Sequence, residues 1–242
     1  RIPQKNILNF FDKPIFIHVY ETALESGLFS DIIISTESQK IIDICKNFGI
    51  KIPFRRPEKL AEDDATLSSV CEYVLEEMEK KGNYYDNLCL LWSTAVMIEA
   101  QDLQKSFELL FFNKDTEAVV GVTECFHYYP AHKVNNQGFI EFLALEDPTV
   151  SFYQELPDTF VDNETMSWVR RDVFGKQKTW MPKNTRGYKM PRHKSVNVDW
   201  PEDLELLTYY YQKHKLPTYF KGKEKKKSKI IILSHIGRPK GK

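Results

Sequence analysis

Short apolar segments alternate with longer amphipathic segments over the first half of this 242-residue chain. Three apolar runs have the length and β-branched content of buried strands: Asp31–Thr36, Asn87–Trp92 and Ala118–Thr123. Apolar residues recur at helical spacing in four other segments, which are predicted helices: 14–26, 38–48, 65–80 and 100–111. Strands that alternate with helices favour a mostly parallel sheet with helices on both faces. The sequence therefore predicts an α/β fold.

The pattern changes after Phe126. Lys133-Val134 and Gly138–Phe142 flank Asn-Asn-Gln and predict a β-hairpin. Leu143–Arg192 is interpreted as an irregular insertion, and such segments commonly form the substrate side of a cleft. A strand at Ser195–Val198 and a helix at Pro201–Gln212 are then predicted.

The C-terminal residues 216–242 contain KGKEKKKSK, which predicts a solvated basic linker. Nucleic-acid binding is the alternative for this run, but it lacks the interleaved aromatic residues that stack on bases. The last residues predict a strand that enters a basic loop. We therefore expect one main domain at 1–215.

The balance of charge excludes two classes of partner. The chain has 34 basic and 34 acidic residues, so no overall field attracts it to nucleic acid or to a membrane. No apolar run approaches the roughly 20 residues that span a bilayer.

The four cysteines form no CxxC pair, which predicts free thiols in a reducing compartment. We expect a cytoplasmic protein.

Two loops carry side chains suited to a phosphorylated ligand. Lys5 offers a point charge to a phosphate, and the Asn6 amide can pair with a pyrimidine edge or a ribose hydroxyl. The alternative is a solvated turn. Arg56 precedes a predicted helix, and an arginine beside a helix N-terminus favours polyanions. Asp64 is a candidate N-cap of that helix.

These loops also carry a resemblance. RIPQKN, KPI…ETALESGLFSDIIISTES, FRRP and LAEDD are similar to segments of the cytidylyltransferases that activate sialic-acid-type sugars, which make CMP-sialic, CMP-pseudaminic and CMP-legionaminic acids. The resemblance covers residues 1–212. It implies a Rossmann-like fold, CTP and Mg²⁺, and a nine-carbon keto-sugar acid as acceptor, with release of pyrophosphate for surface glycan biosynthesis. A homodimer formed through the inserted segment is also implied.

The family opens on a buried strand and a Gly-Ser-Lys phosphate loop that precede the Ile-Pro-x-Lys-Asn motif. This sequence starts at Arg1. We therefore expect the domain at 1–215 to be without that strand and most of that loop, and 216–242 to be a basic linker and the start of a further segment.

The resemblance assigns roles to individual residues. Lys5 and Asp199 are the implied catalytic residues, through phosphate charge and metal binding respectively. The implied nucleotide-binding residues are Lys5, Asn6, Arg56, Ala65, Thr66, Trp92 and Thr94. Trp92 stands where the family has Gln or Tyr, so it stacks on the base or simply packs. Asp199 and Asn197 are the implied Mg²⁺ ligands, and Asn197 replaces an aspartate, which removes a charge.

The sugar side of the resemblance is less regular. The implied substrate-binding residues are Lys133, Gln154 and Asn163. Tyr153 replaces an arginine that would clamp a carboxylate. Glu164 replaces a glycine, so a turn with positive φ that glycine would permit is expected to be lost. Together with Trp92, Val96 and Asn197, these departures support an alternative function, a catalytically weakened relative that binds a nucleotide or a partner without turnover.

Overall fold

The structure is a computed structural model that describes residues 2–62, 64–125, 132–134, 136–137, 140–142, 158–216 and 234–235. Its helices and strands, in chain order, are β1 (Asn9–Phe10), β2 (Lys13–Pro14), α1 (Ile15–Ser26), β3 (Ile34–Ser35), α2 (Gln39–Asn47), α3 (Leu67–Glu79), β4 (Asn87–Leu91), α4 (Ala100–Phe111), β5 (Ala118–Glu124), β6 (His132–Val134), β7 (Ile140–Phe142), β8 (Phe160–Arg170), α5 (Arg171–Gln177), β9 (Thr185–Lys189), α6 (Pro201–His214) and β10 (Ser234–His235).

The central sheet has the strand order β4-β8-β5-β9. β8 is antiparallel to both β4 and β5, whereas β5 and β9 are parallel. Three of these four strands therefore point in one direction, and β8 runs against them. A separate two-stranded ladder pairs β3 with β10 in parallel. The α/β class with a mostly parallel sheet is confirmed.

Helices cover both faces of the sheet, as predicted. Successive side chains of a strand point to opposite faces. On β4, Leu88 and Leu90 pack with residues of α3 and α5, whereas Cys89 and Leu91 pack with residues of α1, α4 and α6. Each face of the sheet thus has its own apolar core.

Local signals explain most helix ends. α1 ends at Gly27, whose φ of 66° lies in the left-handed region that glycine adopts without steric cost. α6 has Pro201 in its first turn, where the missing N–H is not needed. The N-cap of α3 is Thr66, whose hydroxyl accepts a hydrogen bond from the Ser69 N–H at 3.1 Å. The prediction of Asp64 as the cap was wrong.

The second half of the chain is more regular than predicted. The hairpin is confirmed as β6 and β7. The segment 143–192, interpreted as irregular, contains β8, α5 and β9 in its described part. The pattern of β8 was hidden because it buries polar side chains at Asn163, Thr165 and Ser167 beside apolar ones. Conversely, the predicted strand at Ser195–Val198 is wrong, since this segment forms no ladder.

The thiols agree with the sequence prediction. All four cysteines are free, and Cys45, Cys71 and Cys89 are buried. Burial raises the pKa of Cys45 to about 11. Among the described helices, none combines the length and the apolar character that crossing a bilayer requires.

Candidate active site

The turn at Lys5 lies against the segment that leads into α6. The Lys5 ammonium donates to the Val198 carbonyl at 2.7 Å and to Asp199 Oδ1 at 2.8 Å. The Ile2 N–H donates to the Asp199 carbonyl at 3.1 Å, so backbone and side chain both join the two segments. The Lys5 and Asp199 side chains remain 28% and 31% exposed. Two implied catalytic residues, 194 positions apart, are thus in direct contact.

Asp199 is held by the first turn of α6. The Asp203 carboxylate accepts hydrogen bonds from the backbone N–H groups of Asp199 at 2.9 Å and Trp200 at 2.8 Å. A carboxylate in the first turn also interacts favourably with the helix dipole. Asp203 therefore fixes the backbone from which the Asp199 side chain projects.

Asn197 lies between two carboxylates. Its Nδ2 donates to Glu164 Oε2 at 2.6 Å and approaches Asp199 Oδ2 at 3.5 Å. Asn197 and Asp199 therefore share one side, although the segment is not a strand. In the described part of the chain, no group of three or more His, Cys, Asp or Glu side chains is arranged so that it could hold a metal ion. The oxygen donors here are two carboxylates and one amide.

Glu164 keeps the turn with positive φ, so the expected loss of that turn was wrong. Its φ is 50°, in the left-handed region, which costs a non-glycine residue about 1 kcal/mol. The Asp162 carboxylate accepts a hydrogen bond from the Glu164 N–H at 2.9 Å, and this contact favours the turn. The turn directs the Glu164 carboxylate to Asn197.

This strain gives a direct test. Glu164→Gly and Glu164→Ala both remove the carboxylate, but only glycine adopts positive φ without steric cost. We expect the Gly variant to exceed the Ala variant by about 1 kcal/mol in free energy of unfolding. Urea denaturation of both variants measures the difference. Equal stabilities, or a more stable Ala variant, would contradict the strained conformation.

Asn163 has a structural position beside this turn. It is buried, and its Nδ2 donates to Ser195 Oγ at 3.0 Å, while its Oδ1 accepts from the Thr165 hydroxyl at 2.6 Å. Gly121 on the neighbouring strand leaves room for this pair, because a Cβ there would lie 2.5 Å from Thr165 Oγ1. Asn163 thus joins β8 to the segment that contains Asn197.

The end of β4 meets Asn6. Ser93 Oγ donates to Asn6 Oδ1 at 2.6 Å, and Thr94 is buried. The half-buried Trp92 packs against both cores, and its backbone N–H donates to the Thr165 carbonyl at 3.1 Å. Trp92 therefore contributes to both apolar cores, while Asn6 is brought to the strand end by a serine that the sequence analysis did not single out.

Arg56 is buried and forms an ion pair with Glu37. Its backbone N–H donates to the Thr36 carbonyl at 3.0 Å, which joins this loop to the end of β3. Ala65 is half-buried, and Thr66 is exposed apart from its capping contact. Three implied nucleotide-binding residues are therefore placed in the loop that leads into α3.

The segment 191–199 is also attached to α4. Lys194 Nζ lies 2.6 Å from Glu99 Oε2 and 2.7 Å from Asp102 Oδ2. Burial alone would lower the pKa of Lys194, but hydrogen bonds to Asp102 and Glu99 raise it above its ordinary value. Nearby, Lys215 donates to the Ile98 carbonyl at 2.6 Å, and burial lowers its pKa to about 8.

Two implied substrate-binding residues have no described side chain. Lys133 lies in β6, opposite Glu141 of β7. Gln154 lies outside the described residues. Sequence reasoning also missed three partners of implied site residues. Glu37 contacts Arg56, Ser93 contacts Asn6, and the Glu164 carboxylate contacts Asn197. Only at Glu164 was there a signal, namely an acidic residue at a position where the family has a glycine.

Known proteins are similar to this chain over most of its length. A family model described as "Cytidylyltransferase" matches residues 1–225. The pseudaminic acid cytidylyltransferase of Campylobacter jejuni subsp. jejuni serotype O:2 is 27% identical over 223 residues, which are 88% of this chain and 91% of the relative. The N-acylneuraminate cytidylyltransferase of Streptococcus agalactiae serotype V is 25% identical over 84% of this chain and 48% of its own length.

A solved structure shows the same fold. The CMP:2-keto-3-deoxy-manno-octonic acid synthetase complexed with CTP superposes with a TM-score of 0.64 and 17% identity, over 88% of this chain and 93% of that protein. At this identity the likeness concerns the fold alone.

Proposed function

Because this chain belongs to the cytidylyltransferase family, we propose that it transfers CMP from CTP to a nine-carbon keto-sugar acid with release of pyrophosphate, for surface glycan biosynthesis. The chemistry of the relatives, which include pseudaminic acid and N-acylneuraminate cytidylyltransferases, supports this class of acceptor. The observation that carries the proposal is the contact between Lys5 and Asp199, a cation and a carboxylate at the meeting point of two polar loops.

In the proposed reaction, the anomeric hydroxyl oxygen of the sugar forms a bond to the α-phosphorus. The bond from that phosphorus to the bridging oxygen of pyrophosphate breaks, and the hydroxyl proton is released. No residue of the chain becomes covalently linked, so its contribution is positioning and charge. Lys5 leaves Asp199 to meet the phosphate charge, and Asn6 binds the nucleoside.

The donors at this site suit a hard divalent cation. Asp199 supplies a carboxylate and Asn197 an amide oxygen, and both are oxygen ligands of the kind that Mg²⁺ prefers. When bound, Mg²⁺ neutralises part of the triphosphate charge. Arg56, Ala65, Thr66, Trp92 and Thr94 are proposed on the nucleotide side, and Lys133, Gln154 and Asn163 on the sugar side.

The proposal also covers the oligomeric state, the location and the partners of the protein. The resemblance implies a homodimer formed through the inserted segment. From the free cysteines we also propose a cytoplasmic location. The protein is further proposed to bind neither nucleic acid nor membrane. The charge balance, with 34 basic and 34 acidic residues, supports the last point.

Pyrophosphate release tests the proposed function. The purified chain is incubated with CTP, Mg²⁺ and each member of a panel of nonulosonic acids, and coupled detection follows pyrophosphate. We expect release that requires both CTP and one class of acid, with reactions lacking the acid as controls. CTP binding by calorimetry without release from any acid would support the weakened relative instead.

A further inference from the structure

Glu164 and Asn197 come together from distant parts of the sequence. They are 33 residues apart, and Glu164 Oε2 accepts a hydrogen bond from Asn197 Nδ2 at 2.6 Å. Glu164 reaches this position from a left-handed backbone conformation, so its carboxylate is directed there at a conformational cost. The Glu164 carboxylate has no part in the function as proposed above.

Without Glu164, the proposed cation site has only one negative charge. Asp199 provides one negative charge, and Asn197 provides none. Affinity for a hard divalent cation rises with the number of charged oxygen ligands, so one carboxylate and one neutral amide bind Mg²⁺ weakly. Glu164 brings a second carboxylate to the same amide nitrogen, Asn197 Nδ2. Glu164 and Asp199 together place two negative charges next to the Asn197 amide.

Positively charged or polarised groups already lie against both carboxylates. The Lys5 ammonium is 2.8 Å from Asp199 Oδ1, and the Asn197 amide N–H groups face Glu164 and Asp199. These groups interact favourably with the two carboxylates, as a bound cation would. Rotation of the Asn197 amide by half a turn would present its oxygen in place of its nitrogen, next to two carboxylates.

We propose that Glu164 is the second anionic ligand of the divalent cation in this chain, and that it compensates for the missing charge of Asn197. This inference rests on the proposed function, because the cation is the one that accompanies the triphosphate. The carboxylates of Glu164 and Asp199 then bind it together with the Asn197 amide oxygen.

Binding of Mn²⁺ tests the inference without turnover. Mn²⁺ is titrated into the purified full chain, and electron paramagnetic resonance measures the free ion. We expect Glu164→Gln to weaken Mn²⁺ binding by about 10-fold or more. Adding Asn197→Asp to Glu164→Gln should recover most of that loss. Glu58→Gln, which changes an 85% exposed carboxylate on another loop, is the matched control and should bind as the parent does.

The outcomes separate this inference from the proposed function. Equal Mn²⁺ affinities of the parent and Glu164→Gln, a parent that takes up no Mn²⁺, or a double variant that recovers nothing would each overturn the role of Glu164. Thermal melting of each variant establishes that it is folded. Pyrophosphate release on the same preparations tests the reaction separately, since Mn²⁺ binding that depends on Glu164 can occur without turnover.

Discussion

Replacing Asp199 by asparagine is expected to lower kcat/KM for pyrophosphate release by about 100-fold or more. Asparagine has nearly the same shape and keeps the helix-start geometry set by Asp203. The change therefore removes a negative charge and little else. In the proposed reaction, that charge binds the cation which neutralises the triphosphate.

The matched control for this variant is Asp172→Asn. Asp172 is 69% exposed on α5 and lies 3.9 Å from Lys176, so its loss should leave kcat/KM within about twofold. The Asp199 ion pair with Lys5 is also partly exposed, and its loss should change the free energy of unfolding by less than about 1 kcal/mol. Activity of Asp199→Asn close to that of the parent would refute the metal role of Asp199.

Glu37→Gln is expected to lower the free energy of unfolding by about 3 kcal/mol. The Arg56 side chain is fully buried, and Glu37 supplies the carboxylate that forms an ion pair with it. Removing one charge of a buried pair takes away a compensating charge in an interior that solvates the remaining charge badly. Urea denaturation measures this loss. An unchanged slope of the unfolding free energy against urea concentration would show that the substitution alters stability and not the surface exposed on unfolding.

Glu58→Gln serves as the control for Glu37→Gln. It removes a carboxylate from the neighbouring pair with Arg55, where the side chains are 85% and 55% exposed. An exposed pair of this kind contributes less than about 1 kcal/mol. If Glu37→Gln is as stable as the parent, other groups compensate the Arg56 charge.

The elements of the first half could be predicted because each carries its own local signals. α4 begins and ends at the residues that the helical spacing predicts, Ala100 and Phe111. α1 ends where Gly27 predicts. These features depend on neighbours in the sequence, which a single sequence contains. The same signals favoured helices on both faces of the sheet, which the two apolar cores confirm.

The central strand β8 could not be predicted, because what stabilises it lies far away in sequence. Asn163, Thr165 and Ser167 are polar, which disfavours a buried strand when they are considered alone. In the structure, Asn163 and Thr165 bond to each other, and Asn163 also bonds to Ser195. Burial is tolerated because the polar groups are paired.

In the candidate site, too, some features could be predicted from the sequence and others could not. The resemblance implied that Lys5 and Asp199 serve one triphosphate, and the structure brings their side chains into contact. The pairing of Arg56 with Glu37 and the approach of Glu164 to Asn197 were not implied, because a carboxylate in a loop carries no signal of its partner. Long-range ion pairs depend on how loops are brought together by the fold.

The position of β8 has a consequence for how the chain folds. β4 and β5 are separated in the sheet by β8, whose residues 160–170 follow them in the chain. Pairings of such large sequence separation form slowly, because the intervening chain must lose entropy first. During synthesis, β4 and β5 would therefore remain open edges until β8 emerges, and a fragment ending before residue 160 would lack the strand that joins them. Residues 1–159 are not expected to be an autonomous folding unit.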